Sequence, residues 1–161
     1  MAIAVLAALA FQAGTPSALT MLPGDWVCRM EDWRVGSIRR REIWRRHGTG
    51  ELTGTIEMRW ATSGPQVRIE EAALTISGSG RRTRLTWSAD GRSVHYRLVR
   101  DDRMEAVFES IGDGSPRIIS YRYGDGFRQL EVMHQMADGS SRRWTYQPPN
   151  LETPTIGCDG G

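Results

Sequence analysis

The sequence predicts an all-β protein, and its strand pattern and turn residues carry that prediction. Ten short segments rich in β-branched, aromatic and alternating apolar residues follow one another between positions 26 and 147. Clusters of Gly, Pro, Asn, Asp and Ser separate them. Because most connections are short, we expect antiparallel up-and-down strands. An open sheet of this size would expose two edges, so a closed barrel of roughly eight to ten strands is favoured over a two-sheet sandwich.

The segments are justified by their period of two. Segment 51–60 is the clearest, with Leu52 and Ile56 on one face and Thr53 and Thr55 on the other. In segment 66–76 the apolar residues change from odd to even positions, which predicts a β-bulge near Glu71. The predicted strands are 26–33, 38–46, 51–60, 66–76, 82–87, 93–99, 104–111, 117–123, 127–136 and 140–147.

Three connections have the composition of hairpin turns, namely Ala89-Asp90-Gly91, Gly124-Asp125-Gly126 and Ala137-Asp138-Gly139. Pro148-Pro149 ends the last strand, because proline cannot donate to a sheet ladder. The domain is therefore predicted to span 22–147, and 148–161 to form an irregular C-terminal tail.

The first eighteen residues carry no charged side chain, and 2–11 form an apolar run. This run is too short to span a bilayer and matches the core of a signal peptide, so 1–18 are predicted to be a leader. We expect a periplasmic or secreted bacterial protein without a transmembrane segment after leader removal. The only two cysteines, Cys28 and Cys158, are then expected to form a disulfide. A metal pair is the alternative, but it lacks the nearby ligand spacing of zinc sites.

Composition excludes some partners. The formal net charge is +2, too small to argue for nucleic acid or an acidic membrane surface. All 21 basic residues are arginine. A GC-rich genome explains this usage, and selection for the bidentate chemistry of arginine is the alternative. No cofactor or metal motif is present, so neither is predicted, and the oligomeric state stays open.

Gly24-Asp25-Trp26, at the start of the first strand, resembles the Gly-x-Trp signature of lipocalins. That resemblance implies that Trp26 closes one end of the barrel beneath an arginine from the last strand, and Arg142 is the residue available.

The stretch 22–147 also resembles a family of bacterial exported lipocalin-like domains with no assigned function. The matching residues are Glu42-Ile43-Trp44, the glycine-rich 50–54, Phe108-Glu109-Ser110, Pro116, Ile118-Ile119 and Tyr121. Where the family shows His-Asp-Phe before the proline, this chain has Asp113-Gly114-Ser115. Any chemistry that depended on that histidine is therefore absent here or carried by other groups. The question of catalysis stays open, with the balance against an enzyme and no catalytic residue assigned.

Arg40, Glu42 and Trp44 share one face of the second strand. If that face lines the lumen, the charged pair is a polar anchor for a ligand. The alternatives are an internal ion pair and an outward-facing strand. His134 shares an apolar face with Leu130 and Val132, where a histidine is more often a hydrogen-bonded core residue than a ligand.

Together these patterns predict a lumen that binds a small hydrophobic or anionic amphipathic ligand. The alternatives are an envelope structural or interaction module without a ligand, and a hydrolase or isomerase in the barrel mouth. Arg40 or Arg117 would pair with a ligand carboxylate. The candidate lining residues are Arg40, Glu42, Trp44, Met58, Phe108, Arg117, Tyr121 and His134.

Overall fold

The computed structural model describes residues 17–32, 36–48, 50–61 and 67–150, which hold one short helix, α1, and one ten-stranded antiparallel sheet. Every strand pairs with the next strand along the chain. The elements are α1 (Ala18–Met21), β1 (Gly24–Asp32), β2 (Gly36–His47), β3 (Glu51–Ala61), β4 (Val67–Ser77), β5 (Arg84–Ala89), β6 (Arg92–Asp101), β7 (Glu105–Ser110), β8 (Ile118–Gly124), β9 (Gln129–Gln135) and β10 (Ser141–Tyr146).

The sheet curls into a nearly closed barrel, because its first and last strands meet. Val27 of β1 and Gln147, directly after β10, exchange two backbone hydrogen bonds of 2.8 and 3.0 Å. This contact satisfies backbone groups on both edges of the sheet. The predicted all-β, up-and-down barrel of roughly eight to ten strands is confirmed, and it has ten strands.

Alternation along the strands builds one continuous core inside the barrel. On β9, Leu130, Val132 and His134 are buried while the residues between them are partly exposed. Successive side chains of a strand point to opposite faces, so one half of each strand fills the lumen. The largest apolar and aromatic core residues are Trp26, Trp44, Leu74, Leu85, Tyr96, Phe108, Ile119, Tyr121, Tyr123, Leu130, Trp144 and Tyr146.

A β-bulge interrupts β4 at the predicted position. Ile56 pairs with Ala72 while the next residue, Glu57, pairs with Glu70, so Glu71 has no partner on β3. A bulge reverses the phase of the strand, which explains the change from odd to even apolar positions. The predicted turn at Asp90-Gly91 is also present. Both residues have positive φ, 50° and 72°, as a two-residue hairpin loop between β5 and β6 requires.

Helix α1 lies across one end of the barrel. Trp26 at the start of β1 donates its indole N–H to the carbonyl of Leu22, at 3.0 Å. Ser17 caps α1, and its hydroxyl donates to Asp101 at the end of β6. Arg46, near the end of β2, donates to a backbone carbonyl of the helix, that of Thr20. All three strand positions belong to the same end of the barrel, so the opposite end is the one left for access from solvent.

The described part of the chain begins at Ser17, five residues before the predicted start of the domain. Helix α1 packs its buried residue Ala18 on the barrel. Positions 1–16 of the predicted leader and 151–161 of the predicted tail lie outside the described residues. No helix of the described part has the length and apolar character needed to cross a bilayer.

Gly54 on β3 is expected to tolerate no side chain. It lies opposite Trp44, and a Cβ at this position would come within 2.9 Å of two indole ring carbons. Gly54→Ala is therefore expected to lower the free energy of unfolding by about 1–3 kcal/mol, as overpacking in a core does. Urea denaturation measures this loss.

Gly50→Ala is the matched control, because no atom lies within 4 Å of its added Cβ. The cost of Gly54→Ala should largely vanish in a Trp44→Ala background, and a cost that persists would contradict the steric explanation.

Candidate functional site

A cleft opens at the end of the barrel opposite α1. Its volume is about 220 Å³, and we call it the mouth cleft. Its walls combine aromatic, apolar and charged side chains from five strands, from the segment between β7 and β8 and from the segment between β9 and β10. The lining residues are Arg40, Glu71, Trp87, Pro116, His134, Met136, Arg142 and Trp144.

Arg40 is the central charged group of the mouth cleft. It is only 5% exposed, and its Nε donates to Glu71 Oε2 at 2.9 Å. Its guanidinium carbon lies 4.2 Å from the ring centroid of Trp144, which is the geometry of a cation–π contact. Its Nη1 is buried and has no hydrogen-bond partner among the described residues. One donor of a buried cation is thus left unsatisfied by the described part of the chain.

Glu42 lies one inward-facing position along β2 from Arg40, and it is fully buried. Its Oε1 accepts the indole N–H of Trp44 at 2.9 Å. Burial raises the pKa of Glu42, while the positive charge of Arg40 and the hydrogen bond from Trp44 oppose that shift. Burial and the charge of Glu42 together raise the pKa of Tyr121 well above its ordinary value. Glu42, Trp44 and Tyr121 therefore form a buried polar cluster beneath Arg40.

His134 lies between two tryptophans in the wall of the mouth cleft. Its ring centroid is 4.8 Å from that of Trp87 and 4.6 Å from that of Trp144, both in edge-to-face arrangements. Burial lowers the pKa of His134 to about 3, and the positive charges of Arg40 and Arg142 act in the same direction. The imidazole is therefore neutral near pH 7. Its Nε2 is buried without a hydrogen-bond partner in the protein.

Unpaired polar atoms recur through the barrel interior. Buried polar groups in folded proteins almost always have partners, and an unpaired one costs about 1–3 kcal/mol. Within the described residues, six inward atoms have none: Arg40 Nη1, Glu42 Oε2, His134 Nε2 and the hydroxyls of Tyr96, Tyr123 and Tyr146. Two of these atoms, Arg40 Nη1 and His134 Nε2, belong to residues that line the mouth cleft.

The structure brings most of the sequence-predicted candidates together. Arg40 and His134 line the mouth cleft, while Glu42, Trp44 and Tyr121 pack beneath them. This arrangement places the charged face of β2 in the lumen. An ion pair is also present, but with Glu71 as the partner of Arg40.

Phe108 and Met58 belong to the barrel wall. Phe108 is fully buried against Tyr121, with ring centroids 6.4 Å apart, so the lower lumen is filled by side chains. Met58 is half-buried opposite Arg40. Neither side chain lines the mouth cleft.

Arg117 does not line the mouth cleft, so its side chain is not positioned to pair with a ligand carboxylate there. It is exposed before β8, and its guanidinium donates to the carbonyl of Gly112 at 3.0 Å. Its neighbour, Pro116, lines the mouth cleft instead. The expectation that Arg117 reaches a ligand there is corrected by this position, because the side chain is held on the outside of the loop.

The barrel-closing pair takes a different form from the one implied by the lipocalin resemblance. Trp26 is buried beside Tyr123 at the α1 end, with ring centroids 5.9 Å apart. Arg142 is exposed on β10 opposite His134 and lines the mouth cleft at the other end. The two residues therefore belong to opposite ends of the barrel. Among the described side chains, the arginine that covers a tryptophan ring is Arg40, on Trp144.

Sequence reasoning did not assign Glu71, Trp87 or Trp144 to the site. The phase change in β4 identified the bulge at Glu71, and that bulge is what turns its carboxylate toward Arg40. The period of two could not reveal this partner, because the two residues are on strands that are not neighbours.

Cys28 is buried on β1 and is not a free thiol. Cys158 lies outside the described residues, so its pairing with Cys28 stays a prediction. Among the described residues no group of three or more His, Cys, Asp or Glu side chains is arranged to hold a metal ion.

Comparisons with known proteins leave the site to be interpreted from its own geometry. No family model, no curated protein and no solved structure matches this chain.

Proposed function

We propose that this chain is an exported, lipocalin-like barrel that binds a small molecule with an anionic head and a compact apolar body in the mouth cleft. The observation that carries the proposal is the guanidinium of Arg40, a residue that lines the cleft and has one buried donor, Nη1, without a partner among the described residues. A ligand carboxylate would accept from that donor and complete its hydrogen bonding.

The charge of the mouth cleft favours an anion. Among the residues that line the cleft, Arg40 and Arg142 contribute two positive charges, Glu71 contributes one negative charge, and His134 is neutral near pH 7. The carboxyl group of Glu42, whose pKa is raised by burial, lies beneath this lining. The excess positive charge lies in a partly buried site, where charge pairs are stronger than in water. A neutral or cationic head would gain less from the same contacts.

The apolar part of the ligand would lie against Trp87, Trp144, Pro116 and Met136. The volume of about 220 Å³ is below the roughly 300–1,000 Å³ of pockets that enclose drug-sized molecules. The guest is therefore small, such as a short-chain or aromatic carboxylate, because Phe108, Trp44 and Tyr121 fill the lumen below.

Calorimetry with octanoate, benzoate and their methyl esters tests this proposal. We expect the acids to bind more tightly than the esters, and Arg40→Gln to weaken acid binding about tenfold or more while changing ester binding little. This size follows from about 1.5–3 kcal/mol for a charge-assisted hydrogen bond. Arg117→Gln is the comparison variant, because that arginine lies outside the cleft, and it should bind like wild type.

Equal weakening of acids and esters by Arg40→Gln would contradict an anion anchor. Absence of binding for all four probes would favour the envelope structural or interaction module. Export is tested separately, by fractionation of cells that express the full chain and by sequencing the N-terminus of the mature protein.

A hydrolase or isomerase is the second candidate, because His134, whose Nε2 has no partner among the described residues, and Glu71 line the same cleft. An efficient general base has a pKa near the working pH, and the pKa of His134 is about 3. Binding is therefore the function that the geometry supports better.

A further inference from the structure

Arginines are in register with one another on four neighbouring strands of the barrel. Arg29 of β1 pairs with Arg39 of β2, Arg39 pairs with Arg59 of β3, and Arg59 pairs with Arg68 of β4. We call these four residues the arginine row. Like charges directly opposite each other on neighbouring strands destabilise a sheet. Such an alignment over four strands therefore calls for a compensating negative charge.

The acidic side chains nearby compensate only part of this charge. Asp25 pairs with Arg41 at 2.9 Å, and Glu57 pairs with Arg59 at 3.1 Å. In the described part of the chain, Arg29 and Arg39 form no ion pair or hydrogen bond through their side chains, and both are exposed. Two positive charges next to each other are thus left without a partner.

The row borders a depression of about 180 Å³, lined by Val27, Arg29, Arg39, Arg41, Arg59 and Pro149. Four guanidinium groups contribute to this wall. The Nε of Arg59 is buried without a hydrogen-bond partner, so a donor is already withdrawn from solvent there. Because side chains alternate along β2, Arg39 and Arg41 face outward while Arg40 faces the lumen. The depression is therefore separate from the mouth cleft.

We propose that this depression binds a phosphate group. Guanidinium groups bind phosphate oxygens in bidentate pairs, and several of them converging on one depression match a multiply charged oxyanion better than a single carboxylate. A bound phosphate would neutralise Arg29 and Arg39 and remove the repulsion along the row. The group belongs either to a soluble phosphate compound or to a phospholipid headgroup, and the binding chemistry is the same.

The test combines thermal unfolding with binding at low ionic strength. Inorganic phosphate and pyrophosphate are titrated by calorimetry, and vesicles of phosphatidylcholine with and without phosphatidic acid are used for co-sedimentation. We expect phosphate or pyrophosphate to bind and to raise the melting temperature. Arg39→Gln should weaken that binding about tenfold, as the loss of a charge-assisted hydrogen bond does. In phosphate-free buffer the same variant should melt at a higher temperature than wild type, because one repulsive charge has gone.

Arg92→Gln is the matched control, because Arg92 is exposed at the start of β6, on a different part of the wall. It should change neither phosphate binding nor the response of the melting temperature to phosphate.

Binding to phosphatidic acid vesicles that exceeds binding of the free anions identifies the headgroup as the source, and the reverse identifies a soluble phosphate compound. The proposal is overturned if no probe binds, if Arg92→Gln weakens binding as much as Arg39→Gln, or if Arg39→Gln lowers the melting temperature in phosphate-free buffer.

Discussion

Trp44→Ala is expected to lower the free energy of unfolding by about 3–5 kcal/mol, the range for removing a large aromatic side chain from a core. Trp44 has no exposed surface, and its ring packs edge-to-face on Tyr121 with centroids 5.8 Å apart. Its other neighbour is Gly54, whose lack of a side chain leaves the space that the indole fills. Removal of the ring would leave a cavity that the closed strands around it cannot easily fill.

Urea denaturation of wild type and variant measures this loss. The slope of the free energy of unfolding against urea concentration is compared between the two proteins as well. Trp44→Phe keeps a six-membered ring in the cavity and removes part of the indole together with the N–H donor to Glu42. It should cost less than Trp44→Ala. A value for Trp44→Ala within about 1 kcal/mol of wild type would mean that the indole contributes little to the core.

Acid is expected to destabilise the protein through His134. The pKa of this residue is about 3 in the folded state, and an unfolded histidine titrates near 6.5. Between these values the unfolded chain binds a proton that the folded protein does not. The free energy of unfolding is therefore unaffected by this proton above about pH 6.5. As the pH falls from 6.5 toward 3, the free energy of unfolding decreases by about 1.4 kcal/mol per pH unit.

Urea denaturation at pH 6.5 and pH 4.5 isolates this contribution. Wild type should lose about 2–3 kcal/mol more between these two pH values than His134→Gln, which cannot take up the proton. His95→Gln is the matched control, because His95 is exposed on β6 and hydrogen-bonded to Thr86. It should show the same loss as wild type. If His134→Gln and wild type lose stability in parallel, the folded protein admits a charged imidazole at this position.

Local sequence patterns were sufficient for the strands, their order and several details of the barrel. The alternation of apolar residues defines a strand because side chains of a strand point alternately to two faces. The phase change in β4 predicted the bulge at Glu71, and Asp90-Gly91 predicted a tight turn, because both features depend only on neighbouring residues. The same alternation correctly grouped Arg40, Glu42 and Trp44 on one face.

The contacts that make the site depend on tertiary structure. Arg40 contacts Glu71 of β4 and Trp144 of β10, which no periodicity along β2 could identify. The pattern left open whether the face with Arg40 was inside or outside, and which end of the barrel Arg142 would reach. Curvature and closure of the sheet decided both, because they bring strands that are distant in sequence around a shared lumen. Sequence by itself thus determined which residues share a face, and only the closed barrel determined which of those faces meet.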